Sequence, residues 1–148
     1  STVYNHKAMK HSARLVSRFS QVKWGGSGAD VVGEFAARKR NSNTAGAQFD
    51  QNNRRNHPNK PSHTLPASFY ANFIHPFENR NYTPREGARL QTFPDWYRFT
   101  GKPTIVSQKL LSREERSHEM YLCQYNQIGN AVPPLLAYAI AKNIKDQL

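Results

Sequence analysis

The chain is poor in the residues on which several classes of protein depend. It has 1 cysteine in 148 residues, which excludes an internal disulfide and a zinc site made of cysteines. Its 6 histidines lack metal-ligand spacing, so we expect no metal. No apolar run approaches the ~20 residues of a membrane span, and the first residues do not resemble a secretory signal. We therefore expect a cytoplasmic protein that binds no membrane.

Apolar residues are also scarce. They make up 37% of the chain, which is long enough for one domain but lean for a self-sufficient core. Residues 38–63 are polar and predict a long surface loop or an irregular β segment. Residues 62–77 are richer in strand formers and predict two short strands. Together with the helices described below, this pattern predicts an α+β fold.

Acidic residues are few, and the basic excess is uneven. Lys and Arg number 21 against 10 acidic residues, and residues 1–60 hold 11 basic against 3 acidic side chains. A cationic segment of this kind attracts phosphate backbones, although a solvated basic surface is the simpler alternative. The candidates for phosphate contacts or guanine readout are Arg38, Arg40, Arg54, Arg55 and Lys60.

Two helices have clear local signals. Thr83 and Glu86 form a capping box around Pro84, which predicts a helix that ends near Thr92, with Gly87 as its weak point. Arg85 and Arg89 lie four residues apart and therefore on one face of it.

The second helix begins at Pro133 and Pro134, and Leu136, Ile140, Ile144 and Leu148 recur every four residues along it. Little else in the chain could cover this apolar stripe, so we expect a partner. In the preceding turn, Gly129 permits a backbone conformation closed to other residues.

Two blocks carry a resemblance to a known family. Residues 80–95 read RNYTPREGARLQTFPD, and residues 127–134 read QIGNAVPP. In this order they closely resemble the last two motifs, numbered nine and ten, of the cytosine-5 DNA methyltransferases. The family's Phe-x-Gly-x-Gly, Pro-Cys, Glu-Asn-Val and Gln-x-Arg-x-Arg motifs do not occur. The chain thus resembles the C-terminal part of such an enzyme, without the part that performs the chemistry.

The resemblance implies roles for particular residues. Asn130, Ala131 and Val132 would form one wall of the S-adenosylmethionine pocket. Thr64 and Leu65 would help to hold DNA around an extruded base. The structural organisers would be Thr83, Arg85, Glu86 and Arg89. No catalytic residue is expected in this chain, and Cys123, which no proline precedes, is interpreted as a structural cysteine.

The resemblance also implies an organisation. Residues 1–79 would form a target-recognition region, residues 80–119 the motif-nine helix and a hinge, and residues 120–148 the motif-ten loop and a docking helix. The fold would be a small, irregular β-containing domain whose helices complete the Rossmann-like α/β domain of a partner. That partner would be a catalytic large subunit, or an N-terminal half, that carries the Pro-Cys nucleophile.

The expected function is DNA recognition and completion of the cofactor pocket in a bacterial-type restriction-modification methyltransferase acting on duplex DNA. Two alternatives stay open. One is an inert, sequence-specific DNA-binding module derived from such an enzyme. The other is a generic basic RNA-binding protein, which leaves both blocks unexplained.

Overall fold

The computed structural model describes residues 3–36, 52–104, 108–121 and 123–148, which form two compact units. We call them the strand unit and the helical unit. The strand unit comprises Ala8–His63 and Ala71–Tyr82. The helical unit comprises Ser1–Lys7, Thr64–Tyr70 and Thr83–Leu148. Helices and strands both occur, which confirms the α+β class, while the predicted functional ranges 1–79, 80–119 and 120–148 stay a prediction.

The strand unit holds one helix and a minimal sheet. Helix α1, Ala13–Gln21, begins after Ser12, whose Oγ accepts a hydrogen bond from the Leu15 amide at 3.3 Å. Strands β1, Arg54–Arg55, and β2, Phe73–Ile74, pair in parallel, with Arg54 opposite Phe73. Short 3₁₀ helices occupy Gly28–Asp30 and Gly33–Phe35.

The strand unit contains a cluster of four buried side chains, Phe19, Val22, Val31 and Ile74, with Leu15 and Phe35 packed against them. Helix α1 contributes its apolar face to this cluster, and β2 contributes Ile74. Phe73 and Tyr82, also buried in this unit, pack against each other with ring centroids 6.1 Å apart.

The helical unit contains α2, Pro84–Leu90, α3, Gln108–Arg113, α4, Gln124–Gly129, and α5, Pro134–Asp146. A 3₁₀ helix at Ser117–Tyr121 precedes α4, and another, Phe69–Ala71, lies where the chain passes to the strand unit. The rings of Phe69 and Tyr125 pack edge to face with centroids 4.9 Å apart. Ala88 and Ile128 are fully buried in the same unit.

The structure confirms the predicted α2 and α5 but corrects the interpretation of residues 62–77. One short strand, Phe73–Ile74, occurs there instead of two, and its partner is β1. Thr64 and Leu65 lie in a stretch without strand pairing, between Pro61 and Pro66. A proline has no amide hydrogen for a sheet ladder, so this stretch is a poor strand despite its apolar residues. No described helix has the length and apolar character needed to cross a membrane.

Candidate functional site

The start of α2 is fixed by a reciprocal pair of hydrogen bonds. The Thr83 Oγ1 accepts from the Glu86 amide at 3.2 Å, and the Thr83 amide donates to a Glu86 carboxylate oxygen at 2.8 Å. Thr83 is buried, and its hydroxyl also lies 2.9 Å from Nδ1 of His6. The capping box predicted from the sequence is therefore present and tied to the beginning of the chain.

Arg85 lies beneath this cap and is fully buried. Its Nε donates to the Tyr4 carbonyl at 2.8 Å and its Nη1 to the Pro94 carbonyl at 3.1 Å, while Nη2 donates to the Tyr97 carbonyl and the Asn5 side chain. Burial lowers the pKa of the Arg85 guanidinium. Its donors thus hold together three separate stretches of the helical unit.

Arg89, one turn later, differs from Arg85. Its side chain is half exposed and forms a bidentate pair with Asp95, at 2.8 and 2.7 Å. The hydrogen bond from Arg89 is the main reason that the pKa of the Asp95 carboxyl lies below its ordinary value. An exposed pair of this kind contributes little to stability, whereas the buried Arg85 joins α2 to other parts of the unit.

The turn at Gly129 is shaped by close packing. Gly129 lies at the end of α4, and a side-chain carbon there would overlap the Pro66 carbonyl oxygen and lie 2.9 Å from Cα of Ala67. Gly129 does not use the left-handed backbone that glycine permits, because the described glycines with positive φ are Gly25 and Gly33. Gly129 is required instead because residues 66–67 approach it closely.

Asn126, itself bonded to Cys123, also contributes to the contact between α4 and residues 66–67. Cys123 caps α4, is buried, and donates from Sγ to the Asn126 side-chain oxygen at 2.6 Å. The Asn126 side-chain nitrogen donates to the Ala67 carbonyl at 3.0 Å. Burial raises the pKa of the Cys123 thiol, which disfavours the reactive thiolate. This agrees with the interpretation of Cys123 as structural.

Sequence reasoning missed a brace between α2 and the segment that follows α4. The Gln91 Nε2 donates to the Ile128 carbonyl at 3.3 Å and to the Ala131 carbonyl at 3.4 Å. The Thr92 Oγ1 accepts from the Leu135 amide, in the first turn of α5, at 3.1 Å. Thr92 adopts φ 62°, which is uncommon for a β-branched residue. The end of the first family block thus bonds residues on both sides of Asn130.

The predicted cofactor residues lie between these fixed points. Asn130 follows α4 as its C-cap and is exposed, and Val132 is 63% exposed. Ala131 is half-buried and lines a cleft of about 320 Å³ together with Phe93, Phe99 and Gln127. The segment is therefore held from both sides while its central side chains stay open to a ligand.

Helix α5 continues from this segment with no buried residue. Leu136 and Ile140 are each 52% exposed and Ile144 is 54% exposed, and Leu135 and Tyr138 are exposed as well. An exposed apolar surface of this kind is typical of interaction sites.

The structure gives the predicted DNA contacts different positions. Arg38 and Arg40 lie outside the described residues. Arg54 is half-buried in β1, and Lys60 is exposed. In the helical unit, Thr64 is exposed and Leu65 is buried.

Arg55 differs from the other candidates because it is buried, with 6% of its surface exposed. It donates from Nε to the Val22 carbonyl, from Nη2 to the Phe19 carbonyl, and from Nη1 to the His75 carbonyl, each at 2.7 Å. Burial lowers its pKa. Because these bonds use all three nitrogens of the guanidinium inside the strand unit, we no longer expect Arg55 to contact a phosphate.

Among the described residues, no three or more His, Cys, Asp or Glu side chains are grouped so as to hold a metal ion.

The chain is similar to known DNA methyltransferases over nearly its whole length. The family model for C-5 cytosine-specific DNA methylases matches residues 1–146. The type II methyltransferase M.DdeI of Desulfomicrobium norvegicum is 53% identical over 144 residues, which are 96% of this chain and 32% of that protein. M.AquIB of Picosynechococcus sp., also a type II methyltransferase, is 37% identical over 146 residues, which are 99% of this chain and 90% of that protein. A putative type II methyltransferase of Methanocaldococcus jannaschii, M.MJ0563P, is 35% identical over 144 residues, 97% of this chain and 36% of that protein.

Proposed function

The chain belongs to the C-5 cytosine-specific DNA methylase family, and on that premise we propose that it recognises DNA and completes the cofactor pocket of such an enzyme. The family match confirms the resemblance carried by residues 80–95 and 127–134. The reaction is methylation of carbon 5 of a cytosine extruded from duplex DNA. The names of the relatives, type II methyltransferases, support a place in a restriction-modification system.

One observation carries the proposal. The two family blocks form a single braced piece, in which Gln91 and Thr92 hold the ends of the segment that contains Asn130. Hydrogen bonds that fix a segment at both sides are expected where that segment must hold a ligand in one position. The exposed side chains of this piece are those that, by the resemblance, would contact the cofactor (Asn130 and Val132) and the partner (the apolar face of α5).

The residues fit one wall of an S-adenosylmethionine pocket. The exposed Asn130 side chain has an amide for a polar group of the ligand, and Val132 offers an apolar contact. When bound, S-adenosylmethionine supplies the methyl group. In this proposal, Asn130, Ala131 and Val132 bind and orient the cofactor on one side, and the catalytic part of the enzyme forms the rest of the pocket.

Helix α5 is proposed to dock on that catalytic part, which carries the Pro-Cys nucleophile. Its apolar residues have the spacing of a helix face that packs on a neighbouring element. None of them is covered by the described part of this chain. The catalytic part would be a separate large subunit or the N-terminal half of one chain.

The comparisons contain examples that fit either arrangement. This chain spans 32% of M.DdeI, as a piece of a longer enzyme would. It spans 90% of M.AquIB, a protein of similar extent. The proposed function is the same in both arrangements.

The strand unit is proposed to carry most of the DNA contacts. In the full sequence, its ranges hold 11 basic and 4 acidic residues, against 10 and 6 in the ranges of the helical unit. Arg54 and Lys60, together with Arg38 and Arg40, remain proposed contacts to phosphates or bases. Thr64 and Leu65 remain proposed neighbours of the extruded base.

A chimaeric enzyme tests the proposal. The 144 residues of M.DdeI that match this chain would be replaced by the corresponding residues of this chain. We expect the chimaera to transfer labelled methyl groups from S-adenosylmethionine to cytosine in duplex DNA, and the chain alone to transfer none. Transfer by the purified chain alone would refute the proposed division of labour.

Asn130→Ala in the chimaera then tests the pocket assignment. We expect the apparent KM for S-adenosylmethionine to rise more than that for DNA, because Asn130 faces the cofactor and not the duplex. An unchanged cofactor KM would remove Asn130 from the pocket.

The alternative is an inert DNA-binding module. It predicts tight, sequence-selective duplex binding by the chain alone, with no gain in affinity or activity from a catalytic part. The exposed apolar face of α5 counts against it, since a module that acts alone has no use for that face.

A further inference from the structure

The strand unit exposes two large aromatic side chains side by side. Trp24 is 52% exposed and Phe77 is 71% exposed. Their ring centroids lie 6.2 Å apart at an interplanar angle of 87°, and His57 lies against Trp24 with centroids 5.7 Å apart. We call these three residues the aromatic corner. Exposed aromatic side chains that lie next to one another, rather than singly, are typical of a binding surface.

Hydrogen bonds fix the corner in place. The Trp24 indole nitrogen donates to the Pro76 carbonyl at 2.8 Å. The His75 Nδ1 accepts from the amides of Phe77 and Glu78, at 3.2 and 3.1 Å, which shapes the turn that projects Phe77. A surface ordered before binding loses little conformational entropy when a ligand arrives.

Arg55 supports the same turn from below. Its Nη1 donates to the carbonyls of His75, Pro76 and Glu78, at 2.7, 3.3 and 3.1 Å. The buried guanidinium therefore holds the loop that carries Phe77 and the carbonyl that anchors Trp24. Arg55 therefore shapes the exposed surface indirectly, by fixing the loop beneath it.

The corner borders a groove with a volume of about 550 Å³. Lys23, an exposed cation next to Trp24 in the chain, lines this groove together with His57 and Asn79. The ranges of the strand unit hold 11 basic against 4 acidic residues. Aromatic faces beside cations in a basic unit match the faces and phosphates of a nucleic acid strand.

We propose that the aromatic corner stacks on one unstacked nucleobase of DNA, with Lys23 near the adjoining phosphate. This rests on the proposed binding of DNA by the strand unit and adds the site at which a base face is held. The near-perpendicular rings favour a single base over a stacked run, because a flat base lying on one ring meets the other ring edge-on.

Tryptophan fluorescence tests the stacking directly. In a Trp96→Phe variant, Trp24 is the remaining tryptophan of the 2 in the chain. The probes are a single-stranded thymidine oligonucleotide and an oligomer of equal length made of abasic nucleotides, which keeps the phosphates and lacks the bases. We expect the thymidine oligonucleotide to quench Trp24 and to bind more tightly than the abasic oligomer.

Phe77→Ala supplies the second measurement. We expect its affinity for the thymidine oligonucleotide to fall about tenfold and its affinity for the abasic oligomer to stay unchanged. The matched control is Val32→Ala, which removes another exposed apolar side chain of the strand unit, 80% exposed, and should change neither affinity.

The outcomes separate this inference from the proposed function. Equal, salt-sensitive binding of both oligomers, or no loss of affinity in Phe77→Ala, would overturn the aromatic corner alone and favour a protein contact for that surface. Binding of neither oligomer at low salt would overturn the DNA-binding role of the strand unit and the corner with it.

Discussion

Helices α2 and α5 lie in the same unit and carry parts of the two family blocks, but their surfaces are opposite in character. In α2, Pro84, Arg85, Gly87 and Ala88 are buried. In α5, a helix nearly twice as long, no residue is buried. The polar residues of α2 form hydrogen bonds within the unit, whereas the apolar residues of α5 are not buried by the described part of the chain.

This difference shows which interactions the chain completes by itself. Around α2, hydrogen bonds of Arg85 satisfy carbonyls contributed by Tyr4, Pro94 and Tyr97. Around α5, the brace at Thr92 fixes only the first turn. The unit is thus held by its own hydrogen bonds around α2 and leaves the apolar face of α5 exposed. Substitutions in the two regions should therefore have very different effects on the stability of the chain.

The largest effect is expected for Arg85→Ala. The substitution buries no charge but removes the donors to the part-buried Tyr4, Pro94 and Tyr97 carbonyls and leaves a cavity in place of a fully buried side chain. We expect the free energy of unfolding to fall by about 3 kcal/mol or more. Urea denaturation of the full chain, followed by circular dichroism, measures this loss. Arg89→Ala is the control on the same helix, and the loss of its exposed pair with Asp95 should destabilise the chain much less. Equal losses in both variants would contradict the assignment of Arg85 as the organiser.

The short-range features of this region were predictable from the sequence. The Thr83 capping box and the four-residue repeat of α5 each depend on residues within a turn or two of one another, and both helices were confirmed. The exposure of α5 also followed from the scarcity of apolar residues elsewhere in the chain.

The long-range features were not predictable in the same way. Arg55 and the neighbouring Arg54 are the same residue type in the same basic cluster, and the sequence holds no signal that separates them. Arg55 is buried because carbonyls near residues 19–22 and 75–78 converge on it, which depends on the tertiary fold. The left-handed conformation of Thr92 and its bond to Leu135 depend on packing across more than forty residues of chain.

Gly87→Ala tests how tightly α2 is packed, with a smaller expected effect. Alanine should stabilise a helix interior by about 1 kcal/mol relative to glycine. Here its side-chain carbon would overlap the ring of Phe69, a buried residue, and such overpacking costs about 1–3 kcal/mol. We expect a net loss of stability of about 1 kcal/mol in urea denaturation.

A thermodynamic cycle isolates the cause of the Gly87→Ala effect. In a Phe69→Leu background the ring is absent, so Gly87→Ala should be neutral or stabilising. A loss of the same size in both backgrounds would show that the glycine is needed for another reason. The sequence marks Gly87 only as the weak point of α2, whereas the structure places the Phe69 ring against it.

Thr92 offers a test of the link between the two regions. Thr92→Ser and Thr92→Ala both remove the methyl group, and they differ in the oxygen that accepts from the Leu135 amide. A helix-capping bond contributes about 1 kcal/mol, so Thr92→Ala should be less stable than Thr92→Ser by that amount. Identical unfolding midpoints for the two variants would show that the brace contributes nothing to α5.

The smallest effect on the chain alone is expected for Ile140→Lys. Ile140 is 52% exposed, and lysine is a good helix former, so the free energy of unfolding should change by less than about 0.5 kcal/mol. In the chimaera with M.DdeI, the same substitution would place a charge in the proposed contact with the catalytic part. We therefore expect strongly reduced methyl transfer there, measured with labelled S-adenosylmethionine.

Lys142→Ala is the matched control for Ile140→Lys, because Lys142 is an exposed residue of α5 that lies off the apolar stripe. It should leave both the stability of the chain and methyl transfer by the chimaera nearly unchanged. Full activity of the Ile140→Lys chimaera would show that the apolar face of α5 is not the docking surface. A large loss of stability in the chain alone would instead mean that α5 is covered by residues of this chain, and the contrast with α2 would disappear.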